Sequence, residues 1–320
     1  MTPIVFSFAK PSPESTVASA RIANFLAETI QAKQVWDAEI AAVEPDVLFI
    51  VNGAFAFCKY LPELAVAIRR TPRIIWVQND YTIVPPKSDG AAESPFRKAF
   101  VERKAAGLPD LDYWTTIERN ATLTDQSRYI NWNSLTFEPI TSGGPVTSQS
   151  LLYYGAFRNK RVAYFDRFFK QSTHSICISS TSQKFRDRYA TEPNLLFSDG
   201  LVREEFYNFL STYAYGLYLE DAPSHGTFMS PANRFYEMLS AGLPMLFQRE
   251  SVNMMAKAGY DVLPYVIYST RELREWLPKR DEVAAAQRQA WSVFDYRSCL
   301  RDSVLSRYSE LADPNVDLFL

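Results

Sequence analysis

The chain has 320 residues, 47% hydrophobic and 22% charged, with a formal net charge of −2; that length fits two ordinary α/β domains. The slight acidic excess argues against a surface built throughout to hold nucleic acid and leaves room only for a local basic groove. Cys58, Cys177 and Cys299 have neither CxxC spacing nor histidine company, so they point to no disulfide framework and no structural zinc.

The chain opens on "MTPIVFSFAK", which carries neither a basic leader nor a small-residue cleavage site. No apolar run reaches the length of a membrane span, so a soluble cytoplasmic protein is expected. "PIVFSFA" reads as a strand, "ESTVASARIANFLAETIQA" as an amphipathic helix, "PDVLFIVN" as a strand, "LPELAVAIRR" as a helix and "RIIWVQN" as a strand. "AAESPFRKAFVERKAAG" follows as a basic helical segment and "DYWTTI" as a further strand. This is the βαβ rhythm of a parallel sheet. "EPITSGGPVTSQS" has the composition of a linker.

The rhythm then restarts. "SLLYYGAF", "HSICISS", "NLLFSDG", "AYGLYLED" and "MLFQR" read as strands, with "RVAYFDRFFK", "VREEFYNFLSTY" and "SPANRFYEMLSAGL" as helices among them. In the last of these Ser230 is the expected N-cap and Pro231 the first helical residue. Phe235, Met238 and Leu239 form the apolar stripe, and Gly242 is the left-handed stop before Pro244. "DEVAAAQRQAWSVFDYRSCLRDSVLSRYSEL" reads as one long helical segment. The expected fold is α/β, with two doubly wound Rossmann-like domains facing a central crevice. Residues 1–145 form the first domain, 146–285 the second, and 286–320 a helical segment packing back toward the first.

Polar residues gather where these strands end. In the second domain Gly155 would let a ligand approach the backbone, and Arg158, Lys160 and Arg161 follow it; guanidinium and ammonium groups there would neutralise a diphosphate leaving group. The same residues also suit a solvated basic turn. His225 lies in the loop "LEDAPSHGTFM", where a histidine serves a phosphate, a sugar or simply the surface, while His174 reads as structural. Asn233, Arg234 and Glu237 share the polar face of the helix after Ser230, whose N-terminal N–H groups favour anions. In the first domain Asn52 ends one strand, and Gln78, Asn79, Asp80 and Tyr81 end another. An acid there can orient an acceptor hydroxyl, although Asn-Asp is also good turn chemistry. Arg97, Lys98, Arg103 and Lys104 form a basic run. "DLD" at Asp110 to Asp112 precedes a strand and reads as a turn, so no metal is expected.

The basic turn followed by "NRFYEMLSAGLP" resembles the nucleotide-binding domain of GT-B glycosyltransferases over most of 151–250. Gln78 to Asp80, Asn52, the basic run and the Glu237-to-Gly242 helix resemble, element by element, the T-even phage DNA α-glucosyltransferases, which glycosylate 5-hydroxymethylcytosine. The resemblance implies a retaining, metal-independent enzyme with no cofactor, taking a nucleoside diphosphate sugar such as UDP-glucose as co-substrate and double-stranded phage DNA with hydroxymethylated bases as acceptor. It implies catalytic roles for Asp80, Arg158 and Lys160. Gly155, Arg161, His225, Ser230, Asn233, Arg234 and Glu237 would serve the donor, with Glu237 on the ribose. Asn52, Gln78, Tyr81, Arg97, Lys98, Arg103 and Lys104 would serve the acceptor. Met229 stands where the retaining enzymes carry a first acid. A glycosyltransferase for a surface glycan, lipid or protein, and a non-catalytic nucleotide sensor, remain the alternatives.

Overall fold

The computed structural model describes residues 1–7, 18–51, 61–78, 95–109, 111–117, 120–122, 124, 127–138, 146–199, 203–220, 230–292 and 295–312. The chain forms two compact units, one of Met1–Leu135 with Arg297–Leu320, the other of Thr136–Tyr296.

The first unit is a six-stranded sheet of β1 (Pro3–Ser7), β2 (Lys33–Trp36), β3 (Val47–Val51), β4 (Arg73–Gln78), β5 (Asp112–Thr115) and β6 (Arg128–Tyr129), in the order β2-β1-β3-β4-β5-β6. Every pairing is parallel. Parallel strands covered on both faces read as unbroken apolar runs, and all five residues of β3 are buried. Successive side chains point to opposite faces. Val47, Phe49 and Val51 therefore enter a core shared with helix α1 (Ala18–Thr29), while Leu48 and Ile50 enter one shared with helix α2 (Pro62–Arg70). Helix α3 (Pro95–Ala105) precedes β5.

The second unit contains β7 (Leu151–Tyr154), β8 (Ile176–Ser179), β9 (Leu195–Ser198), β10 (Tyr215–Tyr218), β11 (Met245–Gln248) and β12 (Val266–Ile267), all parallel, in the order β12-β11-β10-β7-β8-β9. The first strand of the unit is central, and the winding reverses between β7 and β10. In open parallel sheets ligands bind outside the carboxyl ends of the strands at such a reversal. Helices α4 (Val162–Phe169), α5 (Gln183–Tyr189), α6 (Arg203–Ser211), α7 (Asn233–Ser240), α8 (Val252–Lys257), α9 (Leu273–Trp276) and α10 (Arg280–Trp291) complete it. Gly216 of β10 admits α7, since a Cβ there would lie 2.1 Å from Met238 Sδ.

The long helical run expected over 281–311 is two helices, α10 and α11 (Tyr296–Ala312). The burial changes within the first turn of α11: Trp291 of α10 and Tyr296, which opens α11, enter a core of the second unit, whereas Leu300, Val304 and Leu311 enter a core of the first. The strands β2, β6 and β12 and the helices α5, α8 and α9 are elements that the sequence reading does not anticipate. Among the described residues no helix is long and apolar enough to cross a membrane.

Candidate functional site

At the reversal in the second unit, β7 ends on Tyr154 and the chain turns at Gly155, whose φ of +132° disfavours any side chain. A Cβ on Gly155 would also lie 3.2 Å from Nη2 of Arg234. That arginine reaches from α7 across the strand ends. Its Nη1 donates to the Leu219 carbonyl at 3.2 Å, its Nε lies 3.1 Å from Oε1 of Glu220, and its Cζ stands 5.4 Å from the centroid of the Tyr153 ring. Glu220, just past β10, is 3% exposed and receives Arg161 on its other oxygen. Gln248 Nε2 donates to the Glu220 carbonyl at 2.6 Å.

Two guanidinium groups thus face one carboxylate at the carboxyl end of the sheet. Guanidinium groups in a partly desolvated strand-end position attract an anion more strongly than the same groups in bulk water. Beside it, Arg158 and Lys160 are exposed on the short turn Asn159–Arg161 and its flank.

The other side of β7 holds a carboxylate. The Tyr154 hydroxyl donates to Oε2 of Glu237 at 2.9 Å and lies 3.1 Å from the Arg234 carbonyl. Burial, with the Glu237 carboxylate beside it, holds the Tyr154 phenol well above the ordinary tyrosine range, so it stays protonated and donates. Its ring stands edge-on to Phe206 at 5.3 Å. Helix α7, which carries both Arg234 and Glu237, is fixed at each end. The Ala232 N–H donates to Tyr218 Oη at 2.9 Å, and Glu138 N–H donates to Ser240 Oγ at 2.8 Å. Gly242, at φ +65°, closes its C-terminus, with Gly242 N–H on the Leu239 carbonyl and Leu243 N–H on that of Met238.

Several expected residues have other duties. Ser230 is buried and lies two residues ahead of the N-cap position of α7, which Ala232 holds without a side-chain cap bond; the helix begins at Asn233. Arg161, expected at the donor site, is buried against Glu220. Arg103, expected on the acceptor surface, is 1% exposed. Its guanidinium donates to the carbonyls of Ile68, Thr71, Pro72 and Pro109, which ties α3 to the end of α2. Lys98 and Lys104 on the same helix are exposed, with Lys98 Nζ 3.8 Å from Glu102 Oε1. Arg97 lies on α3, its side chain outside the described residues. Gln78 is buried at the end of β4. Asn52, Asp80, Tyr81 and His225 lie outside the described residues. Asn233 opens α7, and its carbonyl accepts from Thr136 Oγ1 at 3.3 Å.

The sequence reading passed over Tyr154, Glu220 and Gln248. Each sits at the carboxyl end of an apolar strand run, the position that singled out Gly155 and Asp80, so strand-end placement was the usable signal. Among the described residues no group of three or more His, Cys, Asp or Glu is placed to hold a metal ion.

Two doubly wound, wholly parallel six-stranded sheets give the GT-B class of fold. Solved structures that match over nearly the whole chain include the DNA-modifying enzyme β-glucosyltransferase (TM-score 0.63, 12% identity, 96% of each chain covered). Another is the phage T4 enzyme in complex with its UDP-glucose substrate (TM-score 0.63, 13% identity, 97% of this chain and 98% of that one). A third is an α-glucosyltransferase in complex with UDP and a 13-mer DNA (TM-score 0.50, 9% identity, 96% of each). At these identities the likeness is one of fold. No protein-family profile and no curated protein sequence matches the chain.

Proposed function

We propose that this protein is a glycosyltransferase that moves a sugar from a UDP-sugar to the hydroxyl of 5-hydroxymethylpyrimidine in duplex DNA, without a metal and with retention at the anomeric carbon. The observation that carries this reading is the gathering of Arg161 and Arg234 around Glu220 at the sheet reversal, flanked by exposed Arg158 and Lys160 and by the Glu237 carboxylate. A nucleoside diphosphate has the matching order of groups: a diphosphate for the cations and a ribose diol for the carboxylate.

The reaction breaks the bond from the anomeric carbon to a diphosphate oxygen, which departs with the electron pair, and forms a bond to the acceptor oxygen. Charge builds on the leaving oxygen as the sugar becomes oxocarbenium-like. Arg158 and Lys160 stabilise that charge, and Gly155 keeps the approach clear. Asp80 is the proposed acceptor of the hydroxyl proton. Lys98, Lys104 and Arg97 supply phosphate contacts that support extrusion of the base. For the DNA acceptor the support is the DNA-bound and DNA-modifying enzymes among the structural neighbours.

Inversion is the second reading of stereochemistry, favoured by the higher TM-score to the β-glucosyltransferases. For the acceptor, the net charge of −2 and the burial of Arg103 favour a neutral glycan as the second reading.

Thermal unfolding with UDP, GDP, ADP and their glucose conjugates tests the donor. A ligand at a hundred times its Kd stabilises by about 2.7 kcal/mol. UDP compounds are expected to give that shift in the wild type and to lose it in Arg158→Ala and Glu237→Ala; no shift with any nucleotide would sink the donor assignment. Transfer of labelled glucose to hydroxymethylated duplex DNA should then fall steeply with added salt and persist in EDTA. Salt-independent transfer to a glycan, or abolition by EDTA, would overturn the acceptor or the metal-free part respectively.

A further inference from the structure

We infer that Tyr154 is a positioning residue for ribose recognition, holding one oxygen of Glu237 so that the carboxylate meets the ribose hydroxyls in a single orientation. The inference rests on the donor site proposed above.

Glu237 projects from the polar face of α7, and a glutamate on a helix face samples many rotamers. Freezing them when a ligand arrives lowers affinity. Tyr154 removes that freedom in advance. Its ring is set by β7 and by the edge-on contact with Phe206 at 5.3 Å, so the hydroxyl occupies a defined point. From there it reaches Oε2 of Glu237 at 2.9 Å and the Arg234 carbonyl at 3.1 Å. A phenol has one proton; the shorter contact and the charged acceptor direct it to Glu237. The phenol does not ionise in the working range, because burial and the adjacent carboxylate raise its pKa. An ionised carboxylate accepts through about four lone-pair sites, and the bond from Tyr154 orients the group while occupying only one of them.

The arrangement also separates two tasks on one helix. Arg234 leans over the Tyr153 ring toward Glu220, on the diphosphate side, and Glu237 turns to Tyr154, one residue along β7 and on the opposite face of the sheet. Selection for a ribonucleotide over a deoxynucleotide thus depends on Tyr154 in a way that diphosphate binding does not.

The test is the dissociation constant of UDP, 2′-deoxy-UDP and 3′-deoxy-UDP for the wild type, Tyr154→Phe, Glu237→Gln and the double variant. Tyr154→Phe keeps the ring and its packing on Phe206, and its thermal unfolding without ligand reports any loss of fold. The wild type is expected to prefer UDP over at least one deoxy analogue by roughly tenfold or more, the scale of a hydrogen bond to a charged group. In Tyr154→Phe that preference should shrink to about threefold or less, with binding of the deoxy analogue nearly unchanged, and Glu237→Gln should leave nothing further for Tyr154→Phe to remove. A merely structural tyrosine would weaken all three ligands in parallel at constant ratio, and that result overturns the inference. Strong UDP binding by the wild type with no preference over either analogue also overturns it, yet leaves the donor reading standing. No uridine nucleotide bound at all overturns the donor reading itself.

Discussion

At the residue scale the decisive group is Glu220. Its carboxylate lies between two guanidinium groups at 3% exposure. Glu220→Ala would remove the carboxylate that both guanidinium groups face in a desolvated place, and removal of one partner from such a buried set costs about 3–5 kcal/mol. The expected outcome is a large fall in the midpoint of chemical denaturation; a change near zero would show that the arginines relax to solvent. Sequence alone could not reveal this arrangement. Arg158, Arg161, Arg103 and Lys104 are equivalent cations in a string of letters, yet Arg103 serves four carbonyls and Arg161 a buried acid. What separates them is which side of its helix or turn each residue occupies, and one turn of phase decides between water and core. Gly155 was legible because a glycine at a strand end before a cationic turn has few other uses.

Helices show the same division between what is local and what is not. The C-terminus of α7 was readable, since Gly242 takes the left-handed conformation that its place after an apolar stripe demands. Its N-terminus was not: Ser230 has the right side chain for a cap but lies buried ahead of the helix. Helix α5 was missed because Gln183–Tyr189 spans only 7 residues and its apolar stripe is too brief to register. A tertiary contact holds it in place. Asp166 of α4 accepts from Arg188 Nε at 2.9 Å, Arg188 Nη2 at 2.6 Å, Tyr189 Oη at 2.8 Å and Lys170 Nζ at 3.0 Å. These donors, the Arg188 guanidinium first among them, hold the Asp166 carboxyl well below the usual carboxylate range. A depressed folded pKa gives stability that is present above the unfolded value, near pH 4, and is lost as pH falls through the folded one. Asp166→Asn is therefore expected to lower the melting temperature at pH 7 and to make its decline below pH 4 shallower than in the wild type. An unchanged acid slope would show that the network contributes nothing to the linkage.

For the whole molecule, the alternation of apolar runs and amphipathic helices was enough to give two parallel sheets, because strands buried on both faces announce themselves. The 2-residue strands β6 and β12 were out of reach, since an edge strand of that length has no period. The end of the chain carries the most consequential departure. A single helix through 281–311 would have one buried stripe, but α10 and α11 divide their apolar residues among cores of both units. Leu300 and Val304 of α11 pack in the cluster that contains Ile22, Phe25 and Leu26 of α1, and the Leu311 carbonyl accepts from Arg73 Nη1 at 3.2 Å. The first unit is thus completed by residues that follow the entire second unit in sequence. Leu300→Ala removes side-chain volume from that core, and such truncations cost about 2–5 kcal/mol. None of the residues around Glu220 or Glu237 shares that cluster. Calorimetry with and without UDP should therefore show the variant's lost stability in the transition that UDP does not raise, while its UDP dissociation constant stays at the wild-type value. A parallel fall of every transition together with weakened UDP binding would mean that the two units unfold as one, and would remove the basis for treating the donor site as a property of the second unit alone.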